Sequence, residues 1–266
     1  SCMDRIEALF AEPELPDAGQ EHIPSSSQAP EIAFEAVRFS YGEKEVLHGL
    51  SFAVERGHML ALAGPSGGGK STVASLLARF WDVDGGRVCV RGKDVRRVPL
   101  QELMGLISMV FQRVYLFQDT IYNNICMGRP GASRDEVVEA AKKARCHEFI
   151  TALPQGYDTV MGEGGATLSG GEKQRISIAR CILKDAPIIL LDEATASVDA
   201  DNERAIQEAL SELCRGKTLL VIAHRLNTIR QADEILVLQE GQIAERGRHE
   251  ALLAQNGIYR RFAEAQ

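Results

Sequence analysis

The chain lacks any run of about 20 apolar residues, the length a helix needs to cross a bilayer, so no segment reads as membrane-spanning. It lacks an excess of basic charge. Lys and Arg number 30 against 37 Asp and Glu, a net charge of −7, and nucleic acid, whose phosphates reward basic surfaces, is not an expected partner. Cys-x-x-Cys pairs are also missing. Cys2, Cys89, Cys126, Cys146, Cys181 and Cys214 are scattered and read as free thiols of a reducing cytosol. No internal repeat occurs. What remains is ordinary globular composition, 45% hydrophobic and 25% charged, in 266 residues. That is enough for one large domain or two modest lobes.

Punctuation and periodicity divide the chain. Asp4 to Phe10 reads as the end of a helix, with Ile6, Leu9 and Phe10 on one side. A Pro, Ser and acid-rich stretch follows, so residues 1–30 are expected to be a linker and the folded domain to begin near Glu31. Ile32 to Phe52 alternates and reads as antiparallel strands broken at Gly42 and Gly49. His58 to Ala63, Ile188 to Leu191 and Leu219 to Ile222 suit buried parallel strands. Ser71 to Phe80 and Gly171 to Leu183 read as helices, while Pro99 to about Leu168 is more helical in character. Ser133, with Glu136 three residues on, forms a capping box. Glu240-Gly241 reads as a hairpin turn between two short strands. Strands alternating with helices imply an α/β fold.

Gly64-Pro65-Ser66-Gly67-Gly68-Gly69-Lys70-Ser71 fits G-x-x-x-x-G-K-[ST] and lies between an expected strand and an expected helix, with Thr72 next. Glycines let main-chain N–H groups turn inward on a phosphate without Cβ clashes. A helix starting near Lys70 adds partial positive charge at its N-terminus. Lys70 is expected to reach the β- and γ-phosphates of ATP and Ser71 to hold Mg²⁺. A second pattern, Ile188-Ile189-Leu190-Leu191-Asp192-Glu193, delivers two carboxylates to the end of a buried strand. Asp192 is expected to organise Mg²⁺ through water and Glu193 to polarise the attacking water. Together the two patterns define a P-loop NTPase.

Leu168-Ser169-Gly170-Gly171-Glu172 narrows the choice. Here the chain resembles the ABC ATPase family, whose signature LSGGQ stands between the P-loop and the carboxylate strand; Glu172 replaces the usual glutamine. Small residues at a helix start repeat the phosphate-cradle logic, now for the ATP of a second copy. The resemblance, from about Glu31 onward, implies further roles. Tyr41 matches the aromatic that stacks on adenine, and Gln112 the glutamine that touches Mg²⁺ and faces a transmembrane domain. Asp199 matches the D-loop, and His224 the histidine that contacts the γ-phosphate. Arg5 to Phe10, Thr120 to Ile125, and Thr159 to Gly165 with Glu163 are similar to segments of exporter-type half-transporters.

The family pattern implies a P-loop NTPase core with a mainly parallel sheet (31–98 and 184–266), an antiparallel β subdomain, and a helical subdomain (about 99–183) carrying the signature. It implies ATP hydrolysis by Glu193, His224, Lys70 and Gln112 between two copies placed head to tail. The partner copy is the same chain or a related half-transporter. A transmembrane domain of the same full-length protein, at the cytoplasmic face of a membrane, completes the expectation; the 266-residue piece alone reads as soluble. Soluble ABC ATPases of repair and chromosome organisation carry coiled-coil arms, and no heptad run lies between Ser71 and Leu168. Those of translation usually carry two cassettes, and one is present here. A regulatory module without turnover would have no use for Glu193 and His224. Substrate and direction of transport stay open.

Overall fold

In the computed structural model the described residues are 14–111, 114–162, 168–192, 200–222 and 226–264. The strands are β1 (Ile32–Tyr41), β2 (Lys44–Val54), β3 (Met59–Ala63), β4 (Gly85–Val90), β5 (Lys93–Asp94), β6 (Ile107–Val110), β7 (Ile188–Asp192), β8 (Thr218–Ile222), β9 (Glu234–Gln239) and β10 (Gln242–Gly247). The helices are α1 (Lys70–Leu77), α2 (Leu100–Gly105), α3 (Ile121–Cys126), α4 (Arg134–Lys143), α5 (His147–Ala152), α6 (Gly170–Lys184), α7 (Ala200–Cys214), α8 (Leu226–Ile229), α9 (His249–Ala254) and α10 (Ile258–Glu264).

Two sheets form. The larger has strand order β10-β9-β3-β8-β7-β6, parallel from β9 through β6, with β10 turned back by a hairpin. Its inner strands bury both faces, as parallel sheets do. On β3, Leu60 and Leu62 point into one core while Ala61 and Ala63 point into another. β9 repeats the split, with Leu236 and Leu238 on the first side and Ile235 and Val237 on the second. The first core fills the space toward α1 and the smaller antiparallel sheet, β2-β1-β4-β5, where Phe34 stacks on Phe52 at 4.6 Å between ring centroids. The second lies under α9 and α10, with Leu252 and Tyr259. A third core holds the helical lobe together through Ile121, Ile125, Val137, Ile150, Ile176 and Ile178.

Local chemistry produces the expected turns and caps. Glu240 and Gly241 take φ of +49° and +72° between the paired Gln239 and Gln242, a two-residue turn whose twist suits a hairpin. Ser133 Oγ accepts from the Glu136 N–H, and Glu136 Oε2 accepts from the Ser133 N–H, closing the capping box of α4. Helix α1 begins one residue before the expected Ser71 and ends at Leu77 rather than Phe80, with Arg79 in a left-handed conformation at φ +52°.

Three features depart from the sequence reading. Gly49 does not break a strand. It is the extra residue of a β-bulge, φ +81°, between the pairs Val37–Leu50 and Arg38–His48, and the glycine supplies the positive φ the bulge needs. Within the segment read as mainly helical, β6 joins the main sheet as the parallel neighbour of β7. Four residues, Ile-Ser-Met-Val, are too few to display a period. Finally, the segment expected to be a linker docks on the domain from Pro16 to Pro24. Arg79 donates to the Pro16 carbonyl at 2.6 Å, Asp17 accepts from the Leu100 N–H at 2.9 Å, and the Ile23 N–H donates to Glu102 at 2.7 Å. Ile23 packs against the first core. The expected helix at Asp4–Phe10 lies outside the described residues.

Candidate nucleotide site

The P-loop runs from the end of β3 to the start of α1. Its glycines are needed for two separate reasons. Gly64, Gly67 and Gly69 take φ of +124°, +79° and +99°, which L side chains rarely adopt. Space is the second reason. A Cβ on Gly68 would stand 2.7 Å from the Leu238 carbonyl oxygen, and one on Gly69 would stand 2.7 Å from a Leu47 methyl. The loop is therefore pressed between β9 and β2, and only bare backbone fits.

Gly69 precedes α1 without a side-chain cap. The first-turn N–H groups of a helix have no intrahelical acceptor, so this terminus offers amides to an anion. Lys70, 6% exposed, donates to the carbonyls of Gly64 and Pro65 at 2.9 and 2.8 Å. Burial pushes its pKa down, and the Asp192 carboxylate pulls the other way. Strands β3, β8 and β7 run parallel and adjacent, so Asp192 at the end of β7 lies on the same C-terminal edge of the sheet as the loop that follows β3. Ser71 is exposed on the first turn of α1 and Thr72 is buried behind it.

Tyr41 ends β1 half-exposed, edge-on to Phe39 at 4.8 Å and to Trp81 at 5.6 Å. Across the hairpin it pairs with Lys44, and Val46 and Leu47 on the same strand lie against Gly69. Sequence reasoning found Tyr41 and missed Trp81, the chain's one tryptophan. The signal available was a large aromatic directly after the P-loop helix.

The cradle, its lysine and the strand-end carboxylate fit a magnesium nucleotide. Among the described residues no group of three or more His, Cys, Asp or Glu side chains could hold a metal alone. A hydroxyl and a carboxylate beside a phosphate cradle suit a hard cation that takes most of its ligands from phosphate and water.

The signature opens a separate helix. Ser169 caps α6, its Oγ accepting from the Glu172 N–H at 3.3 Å. Glu172 Oε2 accepts from the Ser169 N–H at 2.7 Å, so the residue that departs from the family pattern completes a capping box. Leu168 is buried; Ser169 and Gly170 are exposed. Gly171 faces α7, where a Cβ would come within 2.9 Å of Asn202. Arg175 donates to the Asn202 side chain at 2.7 Å, a neighbour that sequence reasoning did not find. Helix α6 packs against α3 and α4 of the helical lobe and also against α7 and the main-sheet strand β6.

The structure thus brings Gly64 to Thr72, Asp192 and, through β2, Tyr41 to one region, and sets Leu168 to Glu172 on the other lobe. Gln112, Glu163, Glu193, Asp199 and His224 lie outside the described residues.

Residues 47–196 match the family described as ABC transporter. The ATP-dependent lipid A-core flippase of Vibrio cholerae is 52% identical over 239 residues, 89% of this chain and 41% of that protein. Human ATP-binding cassette sub-family B member 6 is 51% identical over 247 residues, 92% of this chain and 29% of that protein. A solved bacterial Atm1-family ABC exporter with ATP bound is 43% identical with a TM-score of 0.88, covering 100% of this chain and 46% of that one. The chain spans less than half the length of these relatives. With the match covering more than half of its residues, on a fold that carries a glycine phosphate cradle and a separately capped signature helix, the chain belongs to the ABC transporter family and is an exporter-type ATPase domain.

Proposed function

We propose that this chain hydrolyses ATP to drive transport by a longer, exporter-type protein that contains a transmembrane domain. The observation that carries the reading is the presence of two phosphate-type helix N-termini on separate lobes of one chain. One is the uncapped start of α1 behind Gly64–Gly69; the other is Ser169–Gly170 at α6. One P-loop and one signature per chain suit a head-to-tail pair, in which each ATP lies between the P-loop of one copy and the signature of the other.

In that pair Lys70 and the loop amides neutralise the triphosphate, as phosphoryl transfer requires. Breaking the Lys70 bonds to Gly64 and Pro65 releases its amine toward the β- and γ-phosphates. Tyr41 stacks on the base. Ser71, Gln112 and, through water, Asp192 would hold Mg²⁺, which would supply further charge neutralisation. Glu193 orients the attacking water and His224 the γ-phosphate, with Asp199 at the contact between copies. The exposed rings of Phe111, Tyr115 and Phe117, which flank Gln112 in the sequence, give an apolar face for the transmembrane domain. Such a domain is at home at the cytoplasmic side of a membrane.

The test is turnover against chain concentration, with Glu193→Gln sized with and without Mg-ATP. A composite site requires turnover that rises more steeply than linearly and an ATP-dependent dimer of the Gln variant, with loss of about 10²–10⁴-fold in rate for a displaced acid–base group. Strictly linear turnover from a monomer would refute it.

A further inference from the structure

Asn124 lies on α3 with 0% of its surface exposed, and neither the phosphate cradle nor the signature uses it. A buried side-chain amide needs partners for every polar atom, and this one has them. Its nitrogen donates to the carbonyls of Phe117 and Thr120, each at 3.0 Å. Its oxygen accepts from the Phe117 N–H at 2.9 Å and from the Arg180 guanidinium at 3.1 Å. The Arg180 Nε–H donates to the Asn124 main-chain carbonyl at 2.8 Å. Both amide hydrogens and both lone pairs are in use, so the group cannot turn over without losing the whole set. Toward Phe117 it acts as a strand partner, taking the N–H and giving to the C=O.

What Asn124 joins is unusual. Arg180 lies on α6, three turns and about 16 Å along the rod from Ser169. Gly128 closes the same joint, since a Cβ there would stand 3.0 Å from the Arg180 carbonyl carbon and nearer still to its oxygen. On the other side, the gripped main chain carries rings outward. Tyr115 is 70% exposed and meets the half-exposed Phe117 edge-on at 5.0 Å. The Met161 N–H donates to the Asp119 carbonyl at 2.9 Å and the Ile121 N–H to the Thr159 carbonyl at 3.0 Å, which adds the exposed Val160 to that edge.

We propose that Asn124 is a positioning residue that locks the Tyr115–Phe117 edge to the signature helix through Arg180, so that docking at the edge and phosphate engagement at Ser169–Gly171 act on one rigid body. The inference rests on the composite-site reading above. It adds the residue pair that couples the two surfaces.

The experiment is hydrogen exchange of the Glu193→Gln chain with and without Mg-ATP, read at residues 114–119 and 169–173. In the parent, ATP is expected to slow exchange in both segments. Asn124→Asp turns two donors into acceptors facing carbonyls, and Arg180→Lys keeps the charge but removes the fork. Each is expected to reduce the ATP-induced slowing at 114–119 by about five-fold or more. Slowing at 169–173 and fluorescent-nucleotide affinity should stay within about two-fold of the parent, since the altered side chains meet α6 about 16 Å along the rod from Ser169, beyond direct contact. A residue that only held the loop together would raise exchange equally with and without ATP and keep their ratio. A parent-like ratio at 114–119 in either folded variant overturns the proposal, and Arg180→Lys decides alone if Asn124→Asp does not fold. Absence of any ATP response at 169–173 in the parent would sink the composite site itself, and this coupling with it.

Discussion

Glu172 sits where the family usually has glutamine, and its geometry shows what the exchange preserves and what it alters. The capping box survives, because a carboxylate accepts the Ser169 N–H as well as an amide oxygen does. What is lost is the amide's pair of N–H donors; what is gained is a negative charge at the helix end that would meet the γ-phosphate of a partner's ATP. Only the Ser169 hydroxyl proton and the Gly170 and Gly171 amides stay on offer there. Glu172→Gln is therefore expected to tighten the ATP-dependent dimer by about three- to ten-fold, the range for a like-charge contact at a partly wet surface. The gain should shrink as salt rises above physiological strength, where the screening length falls below about 8 Å. Dimer affinity measured at two salt concentrations checks both parts; no change at low salt would mean the charge is not sensed. At this scale much was legible. The P-loop and the signature are runs of neighbouring residues whose chemistry is local. Trp81 beside Tyr41 and Asn202 beside Gly171 were not, because each meets its partner only after distant elements pack.

Between elements, one ion pair ties the antiparallel sheet to the docked segment ahead of it. Glu31, just before β1, and Arg91, just after β4, meet at 2.8 Å with both side chains buried, and Arg91 also donates to the Pro24 carbonyl at 3.0 Å. Removing one partner of a buried pair leaves the other charge stranded, at a cost of about 3–5 kcal/mol. Arg91→Leu is expected to lower the unfolding free energy by that amount, while Glu31→Gln with Arg91→Met recovers a large part of it. Urea unfolding of the parent and the two variants gives the comparison. If the double change is as unstable as the single one, stranded charge is not the cause. Elements were legible in the sequence wherever length allowed a period to show. The strands and helices of the core fell close to their expected bounds, whereas β6 has four residues and the Gly49 bulge breaks the alternation without ending the strand. Neither carries a signal separable from a turn.

At the scale of the molecule the question is where the folded unit begins. Composition places the boundary near Glu31, since Pro, Ser and acid-rich sequence suits a linker. The contacts place it earlier. From Pro16 to Pro24 the segment crosses the end of α1, the start of α2 and the β4–β5 turn, giving or taking hydrogen bonds with Arg79, Leu100, Arg97, Glu102 and Arg91. Gly19 passes so close that a Cβ would stand 2.5 Å from the Arg97 carbonyl carbon. None of this shows in a residue pattern, because every partner lies at least 60 residues away in the chain. Each such bond contributes about 0.5–1.5 kcal/mol net, and ordering the segment takes back part of the sum. Starting the chain at Glu31 should thus cost about 2–4 kcal/mol, a melting point lower by roughly 4–16 °C for a domain of this size. Nucleotide affinity should hardly change, since the P-loop touches β2 and β9 and not this segment. Melting curves and fluorescent-nucleotide titrations of the two chains separate the outcomes. Equal melting points would make the segment a tether that rests on the surface. A lower melting point with unchanged affinity makes it part of the folded unit, so that a pull on the preceding chain reaches the C-terminal end of the P-loop helix directly through Arg79.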